Sequence, residues 1–208
     1  VNYIGENELK ELIDYLVEDP YTAWICSCGG RYDLICTFFA LNPSKFNKTL
    51  RNVMQKFPNQ IKNYTILTTI VMRKFGRKYL FKNPSILPAR VIGGDREPGE
   101  VDEIDMLILD KLSVDARKSC VDLSNELKIT PKTVINRIKK LQKNKIIRGF
   151  SPLLDLRKKG MISTFLVIRY HNISSEVEEG LINYLKVHKN VINVVKTLGE
   201  WDVEIEIE

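Results

Sequence analysis

Lys128-Ile129-Thr130-Pro131-Lys132-Thr133-Val134-Ile135-Asn136-Arg137-Ile138-Lys139-Lys140-Leu141-Gln142-Lys143 carries a helix start, an apolar stripe and a cationic face in one stretch. Thr130 can accept a hydrogen bond from the free amides of a first helical turn, and Pro131 suits the first helical position, where its missing N–H has no partner to lose. Val134, Ile138 and Leu141 recur at i, i+4 and i+7, with Ile135 beside them, so one side of the helix turns to a core. The other side presents Lys132, Thr133, Asn136, Lys139, Lys140 and Lys143. From Lys128 to Arg148 there are eight basic residues and no acidic one. A helix with one apolar and one cationic face suits a DNA major groove. Side chains near its N-terminus then reach base edges, and later lysines meet phosphates. The residues expected at DNA are Thr130, Lys132, Thr133, Asn136, Arg137, Lys139, Lys140, Lys143 and Arg148.

Upstream, Val101–Leu112 has Ile104, Leu107, Ile108 and Leu112 on one side, and Val121–Leu127 forms a short second helix. With Thr130–Asn144 as the third, this is a compact three-helix unit. Ile146–Leu156 suits a β-hairpin, or wing, with Arg148, Arg157, Lys158 and Lys159 adding basic charge. A charge run is ordinarily a solvated helix face. Here the third position in a short unit, the absence of acid and the basic segment that follows coincide, which favours DNA binding.

The net charge of +6 is unevenly placed. Residues 1–100 hold 14 basic and 10 acidic groups, 101–160 hold 14 and 8, and 161–208 hold 4 and 8. No uninterrupted apolar run approaches the roughly 20 residues that span a bilayer, and no signal segment opens the chain, so a cytoplasmic protein is expected. Cys26, Cys28, Cys36 and Cys120 lack paired C-x-x-C spacing, and His171 and His188 stand far from them, so neither a zinc site nor a disulfide framework is expected, and no metal or cofactor is assigned.

Around this unit lies an internal repeat. Leu12-Ile13-Asp14-Tyr15-Leu16 recurs as Leu181-Ile182-Asn183-Tyr184-Leu185, an offset of 169, and Gly30-Arg31-Tyr32-Asp33 falls without a gap on Gly199-Glu200-Trp201-Asp202. In the second copy, Met161–Tyr170 suits a strand, Ser174–Val187 an amphipathic helix and Val191–Leu198 a strand. From Trp201 the alternation puts Trp201, Val203, Ile205 and Ile207 on one face and Asp202, Glu204, Glu206 and Glu208 on the other. The first copy offers a helix at Glu6–Glu18, a hairpin of Tyr21–Cys28 and Tyr32–Phe39, a helix at Pro43–Phe57 and a last strand at Ile61–Arg73. Combined, the copies give the β-α-β-β-α-β ferredoxin-like order. Each is incomplete at a different end, so the chain is expected to be a fragment of a longer duplicated protein, or a partner completes each sheet.

The fold class is therefore α+β, with a winged helix-turn-helix and two incomplete ferredoxin-like copies. The expected domains are 1–75, a first module lacking its first strand; 76–100, a linker marked by Gly76, Pro84, Pro88, Gly93, Gly94, Pro98 and Gly99; 101–157, the winged helix-turn-helix; and 158–208, a second module lacking its last helix and strand.

The pattern Val101-Asp102-Glu103-Ile104-Asp105, Ile108-Leu109, Asp115-Ala116-Arg117, Leu123, Ile129-Thr130, Thr133-Val134, Arg137-Ile138, Leu141, Ile146-Ile147-Arg148-Gly149-Phe150 and Gly160 resembles the feast/famine, or Lrp/AsnC, transcriptional regulators across 101–208. The first copy resembles the same family's C-terminal module, called RAM. The resemblance implies a DNA-binding winged helix-turn-helix, RAM modules that make a homo-oligomer, and a small effector, commonly an amino acid, held between subunits. Lys145 departs from the pattern by standing where the family usually has a helix-ending glycine. A left-handed cap must then fall on Lys145 or move to Asn144.

Gly199 and Asp202, repeated as Gly30 and Asp33, match the family's Gly-x-x-Asp turn, near which effectors sit. Thr197 and Trp201, like Cys28 and Tyr32, flank the turns and would line a pocket. The competing reading is structural: the glycines serve only a positive-φ turn that the aspartates cap. Cys26 and Cys36 align with Val195 and Ile205 and behave as small core hydrophobes. The alternative function is an enzyme of the siroheme-decarboxylase type, which resembles the family in architecture. It would need histidines and arginines converging on a pocket, and both histidines fall at element ends. No catalytic residue is assigned.

Overall fold

The computed structural model describes residues 5–82, 89–95, 97 and 99–208. Residues 1–4, where the first copy's opening strand is expected to end, and Pro84, Pro88 and Pro98 of the expected linker lie outside the described residues. The chain divides into two compact units, one ending at Thr65 and one running from Ile66 to Glu208.

The first unit contains α1 (Glu6–Glu18), β1 (Thr22–Ser27), β2 (Leu34–Phe38) and α2 (Pro43–Lys56). Asn42 caps α2 by accepting from the Lys45 amide at 2.9 Å, with Pro43 at the first helical position. Leu12 and Leu16 of α1 meet Val53 and Phe57 in the core, and Ile25, Leu34, Cys36 and Phe38 of the antiparallel hairpin pack against them. Cys36 sits on that core side, in keeping with its alignment to Ile205.

The second unit holds β3 (Thr68–Lys74), β4 (Arg90–Gly93), α3 (Glu103–Val114), α4 (Cys120–Leu127), α5 (Pro131–Lys143), β5 (Thr164–Ile168), α6 (Ser175–Val187), β6 (Val191–Leu198) and β7 (Val203–Ile207). Its five-stranded sheet has the order β4-β3-β6-β7-β5, every neighbouring pair antiparallel. The repeat is explicit in the fold: shifted by 169, α1 falls on α6 and β2 on β7, residue for residue. Leu185, Val194, Val203 and Ile205 form the core beneath this sheet, joined by Phe75.

Three expectations are corrected. The strand expected to complete the first module pairs instead with β6, from Thr68 opposite Leu198 to Lys74 opposite Asn193. Val71 and Phe75 are buried there, and the Phe75 amide donates to the Ile192 carbonyl at 2.7 Å, so the strand gains both an edge to pair with and a core to enter. The expected linker holds a 3₁₀ turn at Lys78–Leu80 and strand β4, which pairs with β3. Finally, no strand forms between Ile146 and Leu156, all of them described residues, so the expected wing is an irregular segment ending in a 3₁₀ turn at Leu156–Lys159. Arg90 holds that segment, its guanidinium donating to the Ser151 hydroxyl at 2.6 Å and the Phe150 carbonyl at 3.0 Å. Cross-strand pairing gives way to side-chain clamping.

Glu208 also departs from its expected place among solvated carboxylates, its side chain being only 1 % exposed. Arg77 grips both oxygens at 2.7 Å and Tyr79 donates its hydroxyl at 2.5 Å, because the 3₁₀ turn that follows β3 brings them to the end of β7. No helix among the described residues is long and apolar enough to cross a membrane.

Candidate DNA interface

Each helix of the three-helix unit has a local start signal. Asp102 and Asp105 form a reciprocal cap on α3, Ser119 caps α4, and Thr130 caps α5 by accepting the Thr133 amide at 3.1 Å. Ile108, Leu123, Val134 and Leu141 are almost fully buried between the helices. That packing turns the opposite side of α5 outward. Lys132, Asn136, Lys139, Lys140 and Lys143 are exposed, Thr133 and Arg137 are half-buried, and Thr130 is exposed at the helix start. Ile135, expected beside the core, is 39 % exposed and lies toward the outer face. Arg148 is half-buried in the segment after the helix.

At its far end α5 closes on Lys145, whose φ is 57°, while Asn144 keeps φ −78°. The Ile146 amide donates to the Leu141 carbonyl at 2.9 Å and the Lys145 amide to the Gln142 carbonyl at 3.0 Å, so the left-handed cap falls on the lysine itself. Lys128 takes the same conformation, φ 53°, in the turn between α4 and α5.

An open groove of about 300 Å³ beside α5 is lined by Asp102, Thr133, Asn136, Arg137 and Lys140. Arg137 Nη1 lies 2.7 and 2.6 Å from the two carboxylate oxygens of Asp102 and 2.8 Å from Asp105 Oδ1. These hydrogen bonds hold the Asp102 carboxyl below the usual carboxylate range and raise the arginine. Asp102 and Asp105 are not among the residues expected at the interface. Their D-x-x-D spacing ahead of an apolar run is a capping signal, and they are the carboxylates that face the cationic helix.

The residues expected around an effector fall into one group in each unit. In the second unit they serve the turn itself. Thr197 is buried, its amide meeting the Asp202 carbonyl at 2.8 Å and its hydroxyl the Trp201 carbonyl at 2.8 Å. Asp202 accepts the Tyr170 amide at 2.7 Å, and the Trp201 indole donates to Glu204 at 2.9 Å. Gly199, at φ +147°, is so hemmed in that a Cβ would lie 2.8 Å from the Ile66 carbonyl oxygen. In the first unit the Cys28 amide repeats the bond, donating to the Asp33 carbonyl at 2.8 Å, and Arg31 stacks 5.6 Å from the Tyr32 ring centre. Around Gly30, at φ +112°, a Cβ would meet nothing within 4 Å.

His171 lies in the bend after β5, and His188 stands at the C-terminal end of α6. His188 Nδ1 accepts the Asn190 amide at 3.3 Å, and its carbonyl accepts from Lys78 at 3.0 Å, at a helix end.

Residues 101–142 match the model of the AsnC-type helix-turn-helix domain. The HTH-type transcriptional regulator PF0054 of Pyrococcus furiosus is 32 % identical over 106 residues, covering 50 % of this chain and 68 % of its own. Ptr1 of Methanocaldococcus jannaschii, also an HTH-type transcriptional regulator, is 35 % identical over 102 residues, covering 49 % and 68 %. Among solved structures, PH0061 is similar at 25 % identity and a TM-score of 0.49, over 53 % of this chain and 73 % of the other. Both relatives carry the description of transcriptional regulators, and they lend nothing to the decarboxylase alternative. With the three-helix unit, its capped cationic third helix and an antiparallel sheet in the same unit, the chain belongs to the Lrp/AsnC family of helix-turn-helix transcriptional regulators.

Proposed function

We propose that this regulator binds double-stranded DNA by seating α5 in the major groove, with Thr133 and Asn136 at base edges, Lys132 beside them, and Lys139, Lys140, Lys143 and Arg148 on phosphates. The observation that carries the reading is the acid-free outer face of a helix whose inner face is locked by Val134 and Leu141. The first unit, which ends at Thr65, and the five-stranded sheet of the second unit then serve assembly and effector sensing in a cytoplasmic homo-oligomer. A small ligand such as an amino acid is better accommodated at the open Gly30 turn, beside Cys28, Tyr32 and Asp33, than at the filled Gly199 turn. Fluorescence anisotropy on a labelled duplex across a salt series tests the DNA reading. Neutralising Lys139 or Lys143 is expected to lower the slope of log K against log salt by about 0.9 for each phosphate left without its lysine. Unchanged affinity and slope in both variants refutes it.

A further inference from the structure

We infer that Arg137 is a positioning residue that fixes the reading helix against α3, and not a phosphate contact. This rests on the DNA-binding reading above and deepens it. Asp105 has no exposed surface, so its charge requires a partner within the fold. Arg137 supplies that partner at 2.8 Å, and Lys140, the other cation facing it, stands at 3.9 Å with half of its side chain in solvent. The same guanidinium nitrogen reaches both oxygens of Asp102. Those two carboxylates are also the N-terminal cap of α3, Asp102 accepting the Asp105 amide at 2.8 Å. Arg137 thus ties the start of α3 to the middle of α5, one turn beyond Thr133 and next to Asn136. A phosphate would have to displace two carboxylates already in charge-assisted hydrogen bonds. Through this tie Arg137 sets the angle at which Thr133 and Asn136 meet a base edge.

The test uses the full chain and two probes: a duplex selected in vitro from a randomised pool by the wild-type protein, and a mixed-sequence duplex of equal length. Arg137→Gln is expected to weaken the selected duplex about tenfold or more while the salt slope on the mixed duplex stays that of the wild type. Asp102→Asn separates the readings by sign. If Arg137 is a positioning residue, the variant loses selectivity even though it removes a negative charge. If Arg137 is a phosphate contact, releasing it from Asp102 tightens binding to both duplexes. A slope lowered by about 0.9 in Arg137→Gln, with parallel weakening on both probes, overturns the proposal, as does an Asp102→Asn variant that keeps the wild-type ratio of selected to mixed affinity. If Arg137→Gln does not fold, Arg137→Lys keeps the charge on a shorter arm, which no longer places its nitrogen where Nη1 meets Asp102 and Asp105 together. It is then expected to retain the slope and lose selectivity, and wild-type selectivity in that variant overturns the proposal. Lys139→Gln and Lys143→Gln on the same probes test the underlying reading separately, since an unchanged slope in both removes α5 from DNA whatever Arg137 does.

Discussion

The two copies of the repeat share a helix, a hairpin and even the same amide-to-carbonyl bond across the turn, Cys28 to Asp33 and Thr197 to Asp202, yet they are finished differently. In the first unit the hairpin is a two-stranded sheet over one face of two helices. In the second, the corresponding hairpin is flanked by β3 on one side and β5 on the other. Aligned positions therefore have different surroundings. Cys36 is half-buried where Ile205 is 1 % exposed, and Gly30 is open where Gly199 is crowded. A duplicated motif inherits its local geometry, and its stability comes from what is laid against its edges.

The contrast can be broken by paired substitutions, with Trp24 and Trp201 as fluorescence reporters, one in each unit. Ile205→Ala should destabilise the second unit by about 4 kcal/mol, as a large-to-small change in a packed core does. Cys36→Ala, at the aligned place, should cost the first unit about 1 kcal/mol. Equal destabilisation in urea unfolding would mean that the two cores are equally closed. Next in size, Gly199→Ala should cost about 3 kcal/mol, because a Cβ there meets the Ile66 carbonyl oxygen and the Leu67 side chain as well as a left-handed φ. Gly30→Ala bears the backbone strain alone, about 1 kcal/mol, and a reversal of that order would contradict the crowding at Gly199.

The smallest effect is alkaline. Burial, reinforced by Cys26, pushes the Cys28 thiol from 9.0 up to about 11, and burial pushes Cys36 to about 11 as well. The folded state then binds more protons than the unfolded one, so this contribution is complete below pH 9 and is lost as pH rises toward 11. Thr197 and Ile205 replace these thiols in the second copy. Its half-buried Tyr170, also raised from its ordinary 10.0 by burial, begins to act only above that value. Unfolding midpoints followed separately by the two tryptophans should show the first unit weakening earlier, and simultaneous weakening would erase the distinction.

What was legible in the sequence was local. The bounds of α1, those of α6 to within its capping Ser174, the cap at Thr130-Pro131 and the stripe of Val134, Ile138 and Leu141 depend on residues within a few turns of one another, and they stand where expected. The choice of β6 as the neighbour of β3 was not legible, because strand pairing compares edges more than one hundred residues apart. The same distance hid the burial of Glu208 by Arg77 and Tyr79, and a shorter one the commitment of Arg137 to Asp105. Turn and charge signals place these groups on the surface, and only the fold shows which cation each carboxylate meets.

The segment Gly149–Pro152, by which the chain leaves the helix-turn-helix, is strapped from two directions. Arg90 lies against Gly149, where a Cβ would come within 3.0 Å of its guanidinium, and bonds to Phe150 and Ser151, while Arg77 reaches the Pro152 carbonyl at 3.2 Å. A reading head on a loose tether could swivel to suit operators of many spacings. One strapped in this way has a set rotational phase, so in any pair of such chains the separation between half-sites would be tolerated in whole turns of the duplex and resisted in half turns.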